Sequence, residues 1–187
     1  SPEVGLVTSF IRGTGGRGLG GALESLQLNT FVMGGVATVG GLAGRVCAVG
    51  KSMLLRRSDL ARIGGFAELG RYLAEDQVCG ELIAALDREV VVCARPVDNV
   101  LGRLSVRDFA ARQLRWARIR RHISPAGYTA EILTNPLAAA ALLTAVAPGT
   151  ASAALLAVTV AVLCGAAVAA ERRLGVRRPL LHYPALV

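Results

Sequence analysis

Lysine is nearly missing from this chain, with Lys51 alone against twenty arginines. A high-GC bacterial coding sequence accounts for that bias without any demand from function. Aromatic residues are scarce at 4%, with a single Trp, and only 18% of residues are charged. With 53% hydrophobic residues and a mean hydropathy of +0.50, such a chain is not disordered and is too apolar for an ordinary soluble domain. The four cysteines (Cys47, Cys79, Cys93 and Cys164) form no CxxC pair and have no nearby histidine. Metal-ligand spacing is therefore absent, and in a chain this large and apolar they read as reduced structural thiols rather than a disulfide framework. No DxD occurs anywhere.

What is present is arginine, and it is clustered. Residues 103–121 carry seven of them, at 103, 107, 112, 115, 118, 120 and 121, against one acid, Asp108. That segment holds most of the net charge of +8. It is a poor nucleic-acid surface, because it has one Trp, lacks interleaved aromatics and runs toward an apolar block.

From 136 to 170 there is no charged residue, a run of 35 positions broken only by the turn signal Pro148-Gly149-Thr150. Its second half, 151–170, would span about 30 Å as a helix. The first, 132–147, is shorter and is interrupted by Thr134-Asn135-Pro136. Arginines flank both ends (112–121 before; 172, 173, 177 and 178 after), so both ends favour the cytoplasm. A membrane helical hairpin over 132–170, spanning or re-entrant, is expected, with a basic cytoplasmic tail at 171–187. A buried hairpin in a soluble alanine-rich domain is the alternative.

Residues 1–131 alternate strand-like and helical patterns. Strands are predicted over 4–11, 45–55 and 89–94. Helices are predicted over 22–32, over 58–63 with Ser58 or Asp59 as N-cap and Gly64-Gly65 as the stop, and from there to about 87. This is an α/β pattern. The chain opens on Ser1-Pro2-Glu3 and enters a strand directly, so it is expected to be the C-terminal part of a domain.

Three local motifs fail. Gly13-Thr14-Gly15-Gly16-Arg17-Gly18 fits GxGxxG, but no acid lies between Glu24 and Asp59 to take a ribose. Gly50-Lys51-Ser52 resembles a phosphate loop, yet the earlier glycine position holds Arg45 and the segment reads as strand. Asp87-Arg88-Glu89 has DxE spacing at a helix-to-strand turn and reads as solvated.

Two constellations remain. Glu75-Asp76 lies within 69–86. If that segment is one helix, Asp76 joins Leu69, Tyr72, Leu73, Cys79 and Ile83 on an apolar stripe, where desolvation makes a better proton acceptor. If a helix starts at Glu75, both acids favour its positive end. The second constellation is Arg112-Gln113-Leu114-Arg115-Trp116, on a helix opened by the capping box Ser105-x-x-Asp108. Arg112 and Trp116 share a face. Guanidinium forks suit diphosphate oxygens, and an indole suits a sugar or lipid headgroup. The same basic helix could also lie on anionic lipid.

These pieces occur together and in order: a strand ending in Arg56-Arg57, Leu60-x-x-x-Gly64-Gly65-Phe66, Ala74-Glu75-Asp76, Val97-Asp98-Asn99, RxxRW at 112–116, and an apolar C-terminal hairpin. The set resembles the second half of a family 2-type glycosyltransferase of GT-A fold. It is most similar to the ceramide glucosyltransferase and hopanoid-biosynthesis glycosyltransferase group. The resemblance implies an α/β fold, the C-terminal half of a GT-A domain over 1–131, followed by the transmembrane hairpin. It implies Asp76 as catalytic base and Glu75, Arg112, Arg115 and Trp116 as substrate-binding residues. It also implies a UDP-sugar donor, a lipid acceptor, the inner (cytoplasmic) membrane with the catalytic part on the cytoplasmic side, and a divalent cation (Mg2+ or Mn2+). That cation would sit on an upstream DxD, so no metal ligand is assigned to this chain, which is expected to be inactive alone. A non-catalytic membrane adaptor with a lipid-docking basic helix and a processive polysaccharide synthase of the same fold are the alternatives. Arg rather than Gln at 112 favours the single-transfer enzymes over the synthase.

Overall fold

The computed structural model describes residues 2–42, 44 and 46–186. The chain divides into two compact units, one formed by Ser1–Thr14 with Gln27–Val100 and the other by Gly15–Leu26 with Leu101–Val187. The architecture is mixed α/β.

In the first unit a three-stranded sheet has the order β2-β1-β3. Its centre is β1 (Val4–Thr14), rich in the β-branched residues that suit a pleated surface. The short β2 (Met53–Leu55) pairs with it antiparallel and β3 (Glu89–Val100) pairs parallel, so Leu6 lies opposite Leu55 on one side and Val90 on the other. A parallel neighbour requires a crossover, and this one contains α3 (Arg57–Arg62), α4 (Gly65–Leu69) and α5 (Glu75–Ala84). The core packs Leu6 against Ala48, Ile63, Leu69, Cys79 and Ile83. Cys79 and Ile83 are one turn apart on α5, and both are fully buried. Truncating Ile83 to Ala would cost about 2–5 kcal/mol.

Several sequence expectations need correction. Of the predicted strand at 45–55 only Met53–Leu55 forms, and Arg45 lies outside the described residues. Residues 46–52 are irregular, with a turn at Gly50-Lys51. The physical reason is that the Val49 backbone is claimed by the Thr8 side chain instead of a neighbouring strand. Arg56, not Ser58 or Asp59, is the N-cap of α3, and Asp59 is buried within 3.8 Å of both Arg62 and Arg88. The long helix predicted up to 87 is two helices, because α4 ends at Gly70 and α5 begins only at Glu75. The helix predicted over 22–32 starts earlier, as α1 (Gly18–Gln27). From Leu28 to Leu42 the helical chain widens into two π-helical stretches around the short α2 (Met33–Val36). The glycine pairs at 34–35 and 40–41 and the β-branched residues around them are weak α-formers, which fits that loosening.

In the second unit α6 (Val106–Ile123) opens on the expected box. Ser105 Oγ accepts the Asp108 N–H at 3.1 Å, and Asp108 accepts the Ser105 N–H in return. Next come α7 (Pro125–Leu133) and α8 (Pro136–Val146), bent by 52° at Thr134-Asn135-Pro136. Asn135 caps α8 through Ala138 N–H, and Pro136 sits at its first position. A three-residue turn leads into α9 (Thr150–Arg173), where Ser152 Oγ donates back to the Ala147 carbonyl at 2.8 Å. At 24 residues α9 is about 36 Å long. It is long and apolar enough to cross a membrane, and little of it is buried. Its C-terminus closes as a Schellman turn, with Gly175 left-handed and the Val176 N–H on the Glu171 carbonyl.

Candidate functional site

Glu75 and Asp76 open α5, so the second of the two sequence readings holds. Backbone N–H groups at a helix start have no intrahelical partner, and acids there meet the positive end of the dipole. Glu75 is exposed and makes no side-chain hydrogen bond or ion pair among the described residues. Asp76 is half-buried and held on both oxygens. Its Oδ1 accepts the Gln77 N–H at 2.8 Å and its Oδ2 accepts the Gly50 N–H at 2.9 Å. A carboxylate has about four acceptor positions, so Asp76 retains capacity toward a ligand. Two thiols feel it. Burial first, and then the Asp76 charge, push Cys47 and Cys79 up, which keeps both protonated and unreactive.

The RxxRW residues lie on α6, in the other unit. Arg112 and Trp116 are half-buried and share a face, while Arg115 is exposed and has no hydrogen-bond or ion-pair partner among the described residues. Arg112 is engaged. Its Nη1 donates to Glu24 Oε1 on α1 at 2.9 Å, and Gln113 Nε2 donates to Glu24 Oε2 at 3.2 Å. Glu24 is buried and absent from the sequence reading. One turn earlier, at Gly20, a Cβ would collide with the Ser105 backbone, a close approach that only the fold reveals. A carboxylate buried there needs a partner, because an unpaired buried charge is costly.

Asp98, from the Val97-Asp98-Asn99 segment, is on β3 in a forked ion pair with Arg12, 2.5 Å at its shorter contact. The Arg12 hydrogen bond holds its carboxyl below the usual range. Among the described residues no group of three or more His, Cys, Asp or Glu side chains could hold a metal ion.

Glycosyl transferase family 21 matches the chain over residues 1–187. The chain belongs to this family. Among relatives of this family 21 chain, ceramide glucosyltransferase 3 of Caenorhabditis elegans is 28% identical over 103 residues, covering 55% of this chain and 22% of the relative. Ceramide glucosyltransferase 1 of the same organism is 29% identical over 87 residues, covering 46% and 19%. The chain thus spans about a fifth of the length of these relatives. No solved structure matches it significantly.

Proposed function

We propose that this family 21 chain is part of a membrane-bound inverting glycosyltransferase that moves a sugar from a UDP-sugar to a lipid hydroxyl of the ceramide or hopanoid type. Residues 1–131 are then the C-terminal half of a GT-A domain. The α8–α9 segment is its hairpin in the inner membrane, with the catalytic part on the cytoplasmic side. Family membership and the two ceramide glucosyltransferase relatives support the reaction class. The observation that carries the reading is Asp76, a half-buried carboxylate at the open end of α5, oriented by two backbone N–H groups with acceptor capacity to spare.

The lipid hydroxyl gives its proton to Asp76 as its oxygen forms a bond to the anomeric carbon. The bond from that carbon to the phosphate oxygen breaks on the opposite face, and its electron pair leaves with UDP. On α6, Arg115, exposed and without a partner among the described residues, is suited to the diphosphate, and Trp116 offers a flat face to sugar or headgroup. Arg112 acts through Glu24 to fix α6. The divalent cation expected from the resemblance would sit on a DxD outside these residues, and none of these steps uses it.

The test is lipid labelling in membranes that contain the complete protein, with labelled UDP-glucose or UDP-N-acetylglucosamine and candidate lipids, beside Asp76→Asn. A labelled lipid that disappears in the variant supports transfer with Asp76 as base. A variant that keeps labelling overturns the base assignment. No labelled lipid with either donor, from folded and inserted protein, favours the adaptor.

A further inference from the structure

Residues 46–52 form no strand, yet side chains from elsewhere in the fold hold them. Thr8, on the central strand and fully buried, uses one hydroxyl twice. Its Oγ1 accepts the Val49 N–H at 3.0 Å and donates to the Val49 carbonyl at 3.0 Å. Gln77 Nε2 donates to the Val46 carbonyl at 3.1 Å. The Ser52 N–H closes the turn on the Val49 carbonyl at 3.2 Å. The Gly50 N–H in turn donates to Asp76 Oδ2.

The Val49 carbonyl and the Gly50 N–H belong to one planar trans peptide unit and point in opposite directions. Holding the carbonyl end therefore aims the N–H end. Thr8 grips that carbonyl, and the N–H at the other end meets the Asp76 carboxylate. Close approach completes the fit. A Cβ on Gly50 would stand 3.0 Å from Asp76 Oδ2 and 3.1 Å from Asp76 Cβ, so a larger residue must displace the carboxylate by a few tenths of an ångström.

We propose that Thr8 and Gly50 are positioning residues for Asp76, acting through the Val49–Gly50 peptide unit to set the carboxylate's orientation toward the acceptor hydroxyl. The proposal rests on the reading of Asp76 as the base. A carboxylate that takes a proton in the transition state depends on alignment, and misplacement lowers turnover more than ground-state binding.

The experiment compares Thr8→Val, Thr8→Ser, Gly50→Ala and Asp76→Asn in the complete membrane protein, measuring kcat and KM with UDP-glucose, or with UDP-N-acetylglucosamine if that is the donor used. Thr8→Val and Gly50→Ala are expected to lower kcat about tenfold with donor KM within about twofold, the signature of lost alignment. Thr8→Ser, which keeps the hydroxyl, recovers most of that loss. If Thr8→Val does not fold, Gly50→Ala carries the test, since it keeps every hydrogen-bond donor and Gly50 is not in the left-handed region. Wild-type kcat in both variants, with Asp76→Asn inactive, overturns the positioning role and leaves the base reading standing. Equal losses in Thr8→Val and Thr8→Ser, or a loss confined to KM, also overturn it. Activity in Asp76→Asn removes the base reading, and this proposal with it.

Discussion

Arg112 on α6 and Glu24 on α1 form a 2.9 Å ion pair in which the acid is buried and the guanidinium is one-third exposed. Of the two arginines in the RxxRW motif, the first is therefore tied to α1, and the second, Arg115, is exposed with no partner among the described residues. Gln113 on the other Glu24 oxygen makes the junction a three-residue network. A buried carboxylate with both oxygens occupied by donors on α6 defines where that helix sits against α1.

This difference separates the two arginines experimentally. Arg112→Ala leaves Glu24 buried beside a single amide, and is expected to destabilise the protein by about 2–3 kcal/mol, less than a fully buried pair because Arg112 is partly exposed. Arg115→Ala removes an exposed side chain without a partner and should leave stability within about 0.5 kcal/mol, while weakening UDP-sugar use. Thermal unfolding followed through Trp116, beside donor kinetics, reads both. Equal destabilisation by the two substitutions contradicts the division of labour.

The start of α6 carries a pH dependence of known sign. Hydrogen bonds from the Ser105 side chain and then from its backbone, with Arg107 and Arg112 nearby, hold the Asp108 carboxyl below the usual range. A depressed carboxylate contributes stability that is full above its unfolded value, about 3.9, and is lost as pH falls through the lower folded value. Amide exchange at the first turn of α6 should therefore stay slow, after correction for intrinsic rates, down to about pH 4 and quicken below it. In Ser105→Ala that pH step should shrink together with the protection. A first turn whose protection ignores pH would show that Asp108 contributes nothing to the cap.

Much of this is legible in the sequence itself. The capping box is a local signal with a local mechanism, so its reading and its geometry coincide at Ser105 and Asp108. Pro136, Pro148 and Gly149 punctuate an apolar run, and the helices α8 and α9 end and begin around them. What escaped the sequence was long-range. Residues 46–52 have strand-like composition, but whether they pair depends on Thr8, some forty positions away, taking the Val49 backbone. Propensity cannot see a competitor that far off. Glu24 escaped for the same reason, because an acid reads as solvent-facing until a distant arginine is brought to it. The break at 70–74 between α4 and α5 decided where Asp76 lies, and only Gly70 hinted at it.

The break yields a prediction of its own. Asp76 at a helix start is held by the Gln77 N–H, whereas mid-helix it would have found that N–H already bonded. Asp76→Asn keeps an oxygen for one of the two N–H donors, so stability should fall by no more than about 1 kcal/mol, while transfer is lost. Circular dichroism and melting of the variant beside the labelling assay check this. A large loss of fold would mean that the carboxylate serves the loop at 46–52 rather than the chemistry.

The far end of α9 holds the most buried ionic group of the second unit. Glu171 is fully buried, Arg178 forks onto it with two 3.1 Å bonds, and the Tyr183 hydroxyl donates to it at 2.7 Å. Tyr183 also packs against Leu26 and Ala167, so the segment after the helix is anchored to its last turns. Burial, and then the hydrogen bond to Glu171, push the Tyr183 hydroxyl up to about 12. A raised phenol contributes stability that is complete below its unfolded value of about 10 and is lost as pH rises through the folded value. Tyr183→Phe keeps the packing but takes one donor from a buried carboxylate, and should cost about 1.5–3 kcal/mol near neutral pH. The wild type should therefore melt at a higher temperature than the variant up to about pH 10, with the gap closing as the solution approaches pH 12. Melting curves at several alkaline pH values, with ultraviolet titration of the three tyrosines, decide it. A gap that stays constant across that range would mean the hydroxyl is solvated and does not hold Glu171.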